Sequence, residues 1–206
     1  MNTKKRILDA ALKLFSEKGY GNVYVGEIGE AVGIKAPSLY KHYKSKQDIF
    51  NAILDEMKNN YDKQAMALNM NGSDVNIDVG IFSAVSEDEL VKMGIGLFSY
   101  FLHDEYVCRF RKMLTLEQFH DSELSQLYTK QYVDQPLSYQ SAMFSMLCAG
   151  GLLRQEDAEV MALQFYAPLY MLLTLCDRHP EREEEALKLL EQHIRQFNGA
   201  YSRSLS

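Results

Sequence analysis

The chain is poor in cysteine, and its three cysteines form no pattern. Cys108, Cys148 and Cys176 are odd in number, far apart and set in apolar stretches. That excludes a disulfide framework and reads as buried free thiols in a reducing cytoplasm. No secretory leader is visible, because the opening Met-Asn-Thr-Lys-Lys-Arg runs straight into an amphipathic stretch containing Asp9 and Glu17. A bilayer-length apolar run is also lacking. The longest, residues 165–176, is too short to cross and contains Pro168, so no membrane partner is expected. Alternating apolar and polar residues are scarce, which argues against a sheet. No nucleophile–base pair, phosphate loop or metal-ligand spacing is present, so neither an enzyme nor a cofactor is expected. The pairs His103-Asp104 and His120-Asp121 do not suggest a metal. Neighbours on a helix point apart, and no second histidine follows one turn later.

What is present is a chain of 206 residues with 47% hydrophobic and 24% charged residues, enough apolar material for a sizeable core. Its net charge of -6 conceals an asymmetry. Residues 1–60 hold ten Lys/Arg against seven Asp/Glu, and the remainder twelve against twenty-one. A phosphate partner needs local positive charge and not a basic whole, so the acidic average does not exclude nucleic acid.

Apolar residues recur at helical spacing almost throughout, which predicts an all-α protein of about nine helices. Thr3 can cap the first helix, whose stripe is Ile7, Ala10, Ala11, Leu14 and Phe15, and Gly19 ends it. A second helix over 25–32 turns inward Ile28 and Val32, and Gly33 makes the following turn. Pro37 suits the first turn of a third helix, pinned by Leu39 and Tyr43. Ser45 caps a fourth helix over about 46–68, carrying Ile49, Phe50, Ile53 and Met57, and a polar loop follows over 69–79. Ser86 with Glu89 is a capping box for a fifth helix to about His103. A sixth covers about 105–119, and a seventh 122–148, bent or broken by Pro136. Gly150-Gly151 interrupts the pattern. An eighth helix covers about 156–177 and a ninth 181–201, separated by His179-Pro180.

The segment 35–46 holds four lysines, one histidine and no acid. A short basic helix held against a preceding helix is how side chains are presented to a DNA major groove. Here the residues resemble a known family. The first helix reads Ile7-Leu8-x-Ala10-Ala11-x-x-Leu14-Phe15, closed by Gly19-Tyr20. Val25-x-x-Ile28-x-x-x-Val32-Gly33-Ile34 follows, then Leu39-Tyr40-x-His42-Tyr43-x-Ser45-Lys46-x-x-Ile49-Phe50. Together they resemble the N-terminal domain of the TetR family of bacterial transcriptional regulators, over residues 3–50. Two positions depart from the family's habit. Tyr24 stands where Thr or Ser often caps the second helix, so its hydroxyl is free to reach a phosphate. Lys35 stands where Ser is frequent and adds charge.

The resemblance implies a helix-turn-helix domain over 1–60, its fourth helix shared with a larger helical effector-binding and dimerisation domain over 61–206. It implies that Tyr24, Lys35, Ala36, Pro37, Ser38, Tyr40, Lys41, His42 and Lys46 meet DNA. Lys35, Ala36 and Ser38 would face base edges, and Tyr40, His42 and Lys46 the phosphates. It implies an effector pocket, for which the aromatic and methionine-rich middle of the chain offers Met93, Phe98, Phe101, Phe110, Met113, Gln118, Tyr128, Gln131, Tyr132 and Phe144. Plain core packing explains any one of these residues equally well. It further implies a homodimer joined through Leu163, Tyr166, Tyr170, Leu173, Leu187, Leu190, Ile194 and Phe197, and therefore a palindromic double-stranded operator. The expected function is a cytoplasmic repressor released from DNA by a small, largely apolar molecule. An activator or ligand-independent regulator is the alternative in the same class, and a helical carrier or enzyme the alternative outside it.

Overall fold

The computed structural model describes residues 2–67, 71, 72 and 74–203. Among them the secondary structure is helical throughout, with one isolated bridge between Leu153 and Ser202. The expected helix end at Leu68 and the loop residues Asn69, Met70 and Ser73 lie outside the described residues. The chain divides into two compact units. One takes the chain up to Tyr61 together with Asp104–Thr129, and the other takes Asp62–His103 and the chain from Lys130 onward. The expected division near residue 60 therefore differs in one respect. The segment Asp104–Thr129 joins the N-terminal residues.

In the first unit, α1 (Thr3–Lys18) is capped by Asn2, whose side chain accepts from the Lys4 N–H at 3.1 Å. Thr3 is already helical, so the expected cap shifts by one residue. Ile7, Leu8, Ala11, Leu12 and Phe15 are all buried, a wider stripe than the expected one, with Ala10 and Leu14 only half-buried. The extra width arises because α7 (Glu105–Glu117) covers a second side of α1. Gly19 ends α1 at φ +86°, a backbone angle that side chains resist.

The next elements are α2 (Val25–Ala31), α3 (Ala36–Leu39) and α4 (Lys46–Ala67). A side chain on Gly29 would bring its Cβ to 2.8 Å from the Ile34 carbonyl oxygen, so glycine lets α2 close on the turn into α3. Gly33 makes that turn at φ +73°. Arg6 reaches across to donate to the Val32 carbonyl at 2.7 Å, capping the end of α2. Ser45 Oγ accepts from the Asp48 N–H at 3.0 Å and fixes the start of α4, as expected. Leu39, Ile49 and Ile53 are fully buried beneath these helices.

The second unit holds α5 (Val75–Phe82), α6 (Glu87–His103), α9 (Gln135–Ala149), α10 (Ala158–Arg178) and α11 (Glu183–Tyr201). α5 corrects an expectation, since its first half falls within the polar loop expected over 69–79. The Asp74 carboxylate caps it at the Asn76 N–H, 2.9 Å away, and Val75, Val79 and Phe82 pack beside Met143, Phe144 and Leu147 of α9. Asp78 is completely buried and accepts from the Asn71 and Gly72 N–H groups and the Tyr139 hydroxyl. The capping box at Ser86 and Glu89 forms as expected. α8 (Ser122–Thr129) runs into a π turn, Lys130–Asp134, before α9. Pro136 has no N–H to offer the carbonyl of Tyr132, and the Tyr166 hydroxyl donates to that carbonyl instead, at 2.8 Å. α10 is long and apolar enough to cross a membrane by length and composition, more than the run 165–176 suggests. It packs against α6, α9 and α11, which buries part of that apolar surface and leaves Val160, Leu163 and Met171 exposed.

Candidate nucleic-acid interface

The α2–α3 segment presents its polar side outward. Leu39 is fully buried and anchors α3, while Lys35, Pro37, Ser38, Tyr40, Lys41 and Lys44 are exposed and Ala36 and His42 half-exposed. α3 itself is four residues long. Tyr40, Lys41 and His42 therefore sit in the turns that follow it, held by helix-like bonds from Tyr40 N to the Ala36 carbonyl and from Tyr43 N to the Leu39 carbonyl. The expected residues thus share one exposed strip. Lys44 belongs to it as well and is not among the expected contacts, although its place two residues after His42 is the signal that identifies it.

Tyr24 is 75% exposed. Its side chain takes no part in starting α2. The Glu27 carboxylate does so, accepting from the Tyr24 N–H at 2.8 Å, and Lys18 pairs with Glu27 at 2.6 Å. The Lys18 hydrogen bond first, and the backbone bond second, hold the Glu27 carboxyl below the usual glutamate range. The Tyr24 phenol is thereby left in solvent.

Lys46 turns its ammonium toward the segment between α1 and α2. Its ammonium donates to the carbonyls of Tyr20 at 2.8 Å and Val23 at 3.0 Å, and lies 4.4 Å from the centre of the Tyr20 ring. Burial pushes this ammonium down from the ordinary lysine value, and the Glu117 carboxylate pulls in the opposite direction.

The expected effector residues fall into separate packed groups. Phe110 and Met113 are fully buried in the first unit, with the Phe110 ring 6.1 Å from that of Phe50. In that unit Gln118 turns its amide onto the Thr115 carbonyl, and Tyr128 is half-buried. Phe98 and Phe101 pack in the α6–α10–α11 cluster of the second unit, and Phe144 in the α5–α9–α10 cluster. Tyr132 is buried on the π turn, with Met93 and Gln131 half-buried.

Most of the expected dimer residues face inward within the protomer. Leu173, Leu190 and Ile194 are core residues, and Leu187 and Phe197 pack against the same clusters. Tyr166 is bonded to the Tyr132 carbonyl, and the Tyr170 ring lies 6.3 Å from that of Tyr132. Only Leu163 of the eight is strongly exposed. Each helix carries two apolar sides, one of them turned to the core. The outer side is instead Val160, Leu163 and Met171 of α10 with Leu189 of α11. Between these helices lies a groove of about 230 Å³, lined by residues including Pro168, Met171, Leu189 and His193.

Residues 7–53 match the family model described as bacterial regulatory proteins, tetR family. The N-terminal domain belongs to the TetR family. Among curated TetR-type regulators, it is 40% identical over 58 residues to the HTH-type transcriptional regulator AcrR of Shigella flexneri, covering 28% of this chain and 27% of AcrR. It is 40% identical over 67 residues to IcaR of Staphylococcus epidermidis, a negative regulator of the biofilm operon icaADBC, covering 29% of this chain and 36% of IcaR. The chain thus spans about a quarter to a third of the length of these relatives. The TetR-like fold continues through the rest of the chain. A TetR-family regulator from Mesorhizobium loti superposes over 97% of this chain and 96% of its own, with TM-score 0.67 and 18% identity. SmeT, repressor of the Stenotrophomonas maltophilia multidrug efflux pump SmeDEF, has been solved with triclosan. That complex superposes over all of this chain and 94% of its own, with TM-score 0.68 and 20% identity.

Proposed function

We propose that this protein is a cytoplasmic DNA-binding transcriptional repressor that acts as a homodimer on a palindromic operator and is released by a small, largely apolar effector. The observation that carries this reading is the exposed strip Lys35–Lys44, free of acidic side chains and fastened to a domain of TetR type. The strip has the composition a major groove requires. Lysines supply phosphate attraction, small Ala36 and Pro37 allow close approach, and Ser38 offers a hydrogen bond to a base or phosphate. A domain this small makes few base contacts, so tight specific binding needs two copies. The apolar outer side of α10 and α11 suits a second copy, with Leu163, Met171 and Leu189 at its centre.

IcaR and SmeT favour repression over activation, and the SmeT–triclosan complex favours release by a small aromatic molecule. α4 begins in the first unit and ends in the second, so an effector bound beside its far end can move the reading strip. A ligand preferring the released spacing by a few kcal/mol empties the operator.

The test is selection of bound duplexes from fragmented genomic DNA by the full-length protein. The expected product is an inverted repeat with half-site centres about one helical turn apart. Recovery of no enriched sequence, from a protein shown to be folded, would overturn the reading. Lys35→Ala with Ser38→Ala is expected to flatten the enrichment while retaining salt-sensitive binding.

A further inference from the structure

In the second unit, α5 is held down by an acid. Asp78 is its one buried residue, while Val75, Val79, Ile81 and Phe82 are half-buried and Ile77 is exposed. The Asp78 carboxylate accepts from the Asn71 N–H at 2.6 Å, the Gly72 N–H at 2.7 Å and the Tyr139 hydroxyl of α9. Gly72, at φ +73°, lets two successive N–H groups turn toward one anion, the concave backbone arrangement that binds carboxylates and phosphates. Tyr139 borders the apolar cluster of Met143, Phe144, Leu147 and Met161, which Val75, Val79 and Phe82 cover in part. An anion cradle beside an apolar surface is the chemistry that recognises an apolar molecule with a carboxylate head. The helix that fills it is weak in itself. Eight residues are too few for an isolated helix to be stable. Gly80 weakens it further, and a Cβ there would meet nothing within 4 Å, so no packing calls for glycine.

We propose that α5 is a detachable self-ligand and that the effector is an apolar carboxylic acid which displaces it, its carboxylate taking the donors of Asp78 and its tail lying on Met143, Phe144 and Leu147. The proposal deepens the effector reading above and rests on it. Asn71 and Gly72 follow α4 in sequence, so exchanging one carboxylate for another changes what holds the segment beyond that helix. Closed α5 competes with the effector, and apparent affinity falls with the fraction of molecules in which the site is covered. Loosening α5 therefore tightens effector binding, and stiffening it weakens binding. An Asp78 that serves stability alone gives neither effect.

The experiment measures binding of decanoate, below its micellar concentration, to the full chain without DNA by calorimetry, with decanol as the uncharged control. Asp78→Asn is expected to bind decanoate about tenfold more tightly than the unaltered chain, the worth of a charged hydrogen bond no longer competing. Gly80→Ala is expected to bind it about threefold more weakly, because the closed helix is steadier. Decanol is expected to bind at least about tenfold more weakly than decanoate. Decanoate is also expected to quicken hydrogen exchange at residues 75–82 of the unaltered chain. Absent binding, equal affinity for decanol, slower exchange at 75–82, or weaker decanoate binding by Asp78→Asn overturns the proposal. Gly80→Ala removes no contact, so decanoate affinity unchanged by it overturns the proposal even where Asp78→Asn fails to fold. A chain that binds no duplex overturns the DNA-binding reading alone, since calorimetry and exchange are read without DNA.

Discussion

Two glycines separate backbone cost from space at the scale of single residues. A Cβ on Gly33 meets nothing within 4 Å, so Gly33→Ala is charged only the backbone penalty of φ +73°, about 1–2 kcal/mol. Gly19 has φ +86° and ψ 151°, and its Cβ would also strike Glu117. Gly19→Ala is therefore expected to lower the urea midpoint more than Gly33→Ala. Equal losses would show that Glu117 yields without cost. Both glycines are legible in the sequence as helix stops, but the neighbour of Gly19 is not. Glu117 is nearly a hundred residues further on, and no local pattern announces that approach. Lys46 shows the same limit. Its type and position at a helix start suggest a phosphate, and the carbonyls its ammonium reaches belong to a loop remote in sequence.

At the scale of elements, α2 depends on an exposed carboxylate. The Glu27 carboxyl is held below its ordinary value by Lys18 and the Tyr24 N–H. A depressed folded-state value gives stability that is complete above the ordinary carboxylate range and disappears as pH falls through the depressed value. Glu27→Gln is accordingly expected to melt earlier than the unaltered chain at neutral pH, with the gap closing as pH falls below the ordinary carboxylate range. A gap constant with pH would rule out the ionised carboxylate as the cause. The π turn gives a second case. Tyr166→Phe removes the hydroxyl's bond to the Tyr132 carbonyl and is expected to cost about 1–3 kcal/mol. In a Pro136→Ala background an N–H is restored at 136, and the cost of Tyr166→Phe should shrink in a double-mutant cycle. Additive losses would show that the hydroxyl does not satisfy the carbonyl freed by proline. Pro136 is legible as an interruption, but a π turn is not, because its partner lies on α10. α5 escapes a sequence reading for a related reason. Val75, Val79 and Phe82 are spaced for a helix, but flanking Asn and Asp mask a segment whose order comes from packing on α9.

At the scale of the molecule, the helical class and the DNA-binding end are legible because the helices there are local and their spacings agree together. The division into units is less so, since α7 returns to α1 through long-range burial of Phe110, Met113 and Leu114. On α10 and α11 a helical stripe identifies apolar residues without saying which side meets its own core. A charge on the outer side, Met171→Glu, is expected to yield a folded monomer by light scattering, with operator affinity reduced at least about a hundredfold. A dimer of unchanged stability would move the interface elsewhere. The account stands most directly on where DNA lies. Hydrogen–deuterium exchange of the full chain, with and without a selected duplex, should show protection concentrated at residues 24–27 and 35–44. Protection absent from 35–44, with the duplex demonstrably bound, would contradict it.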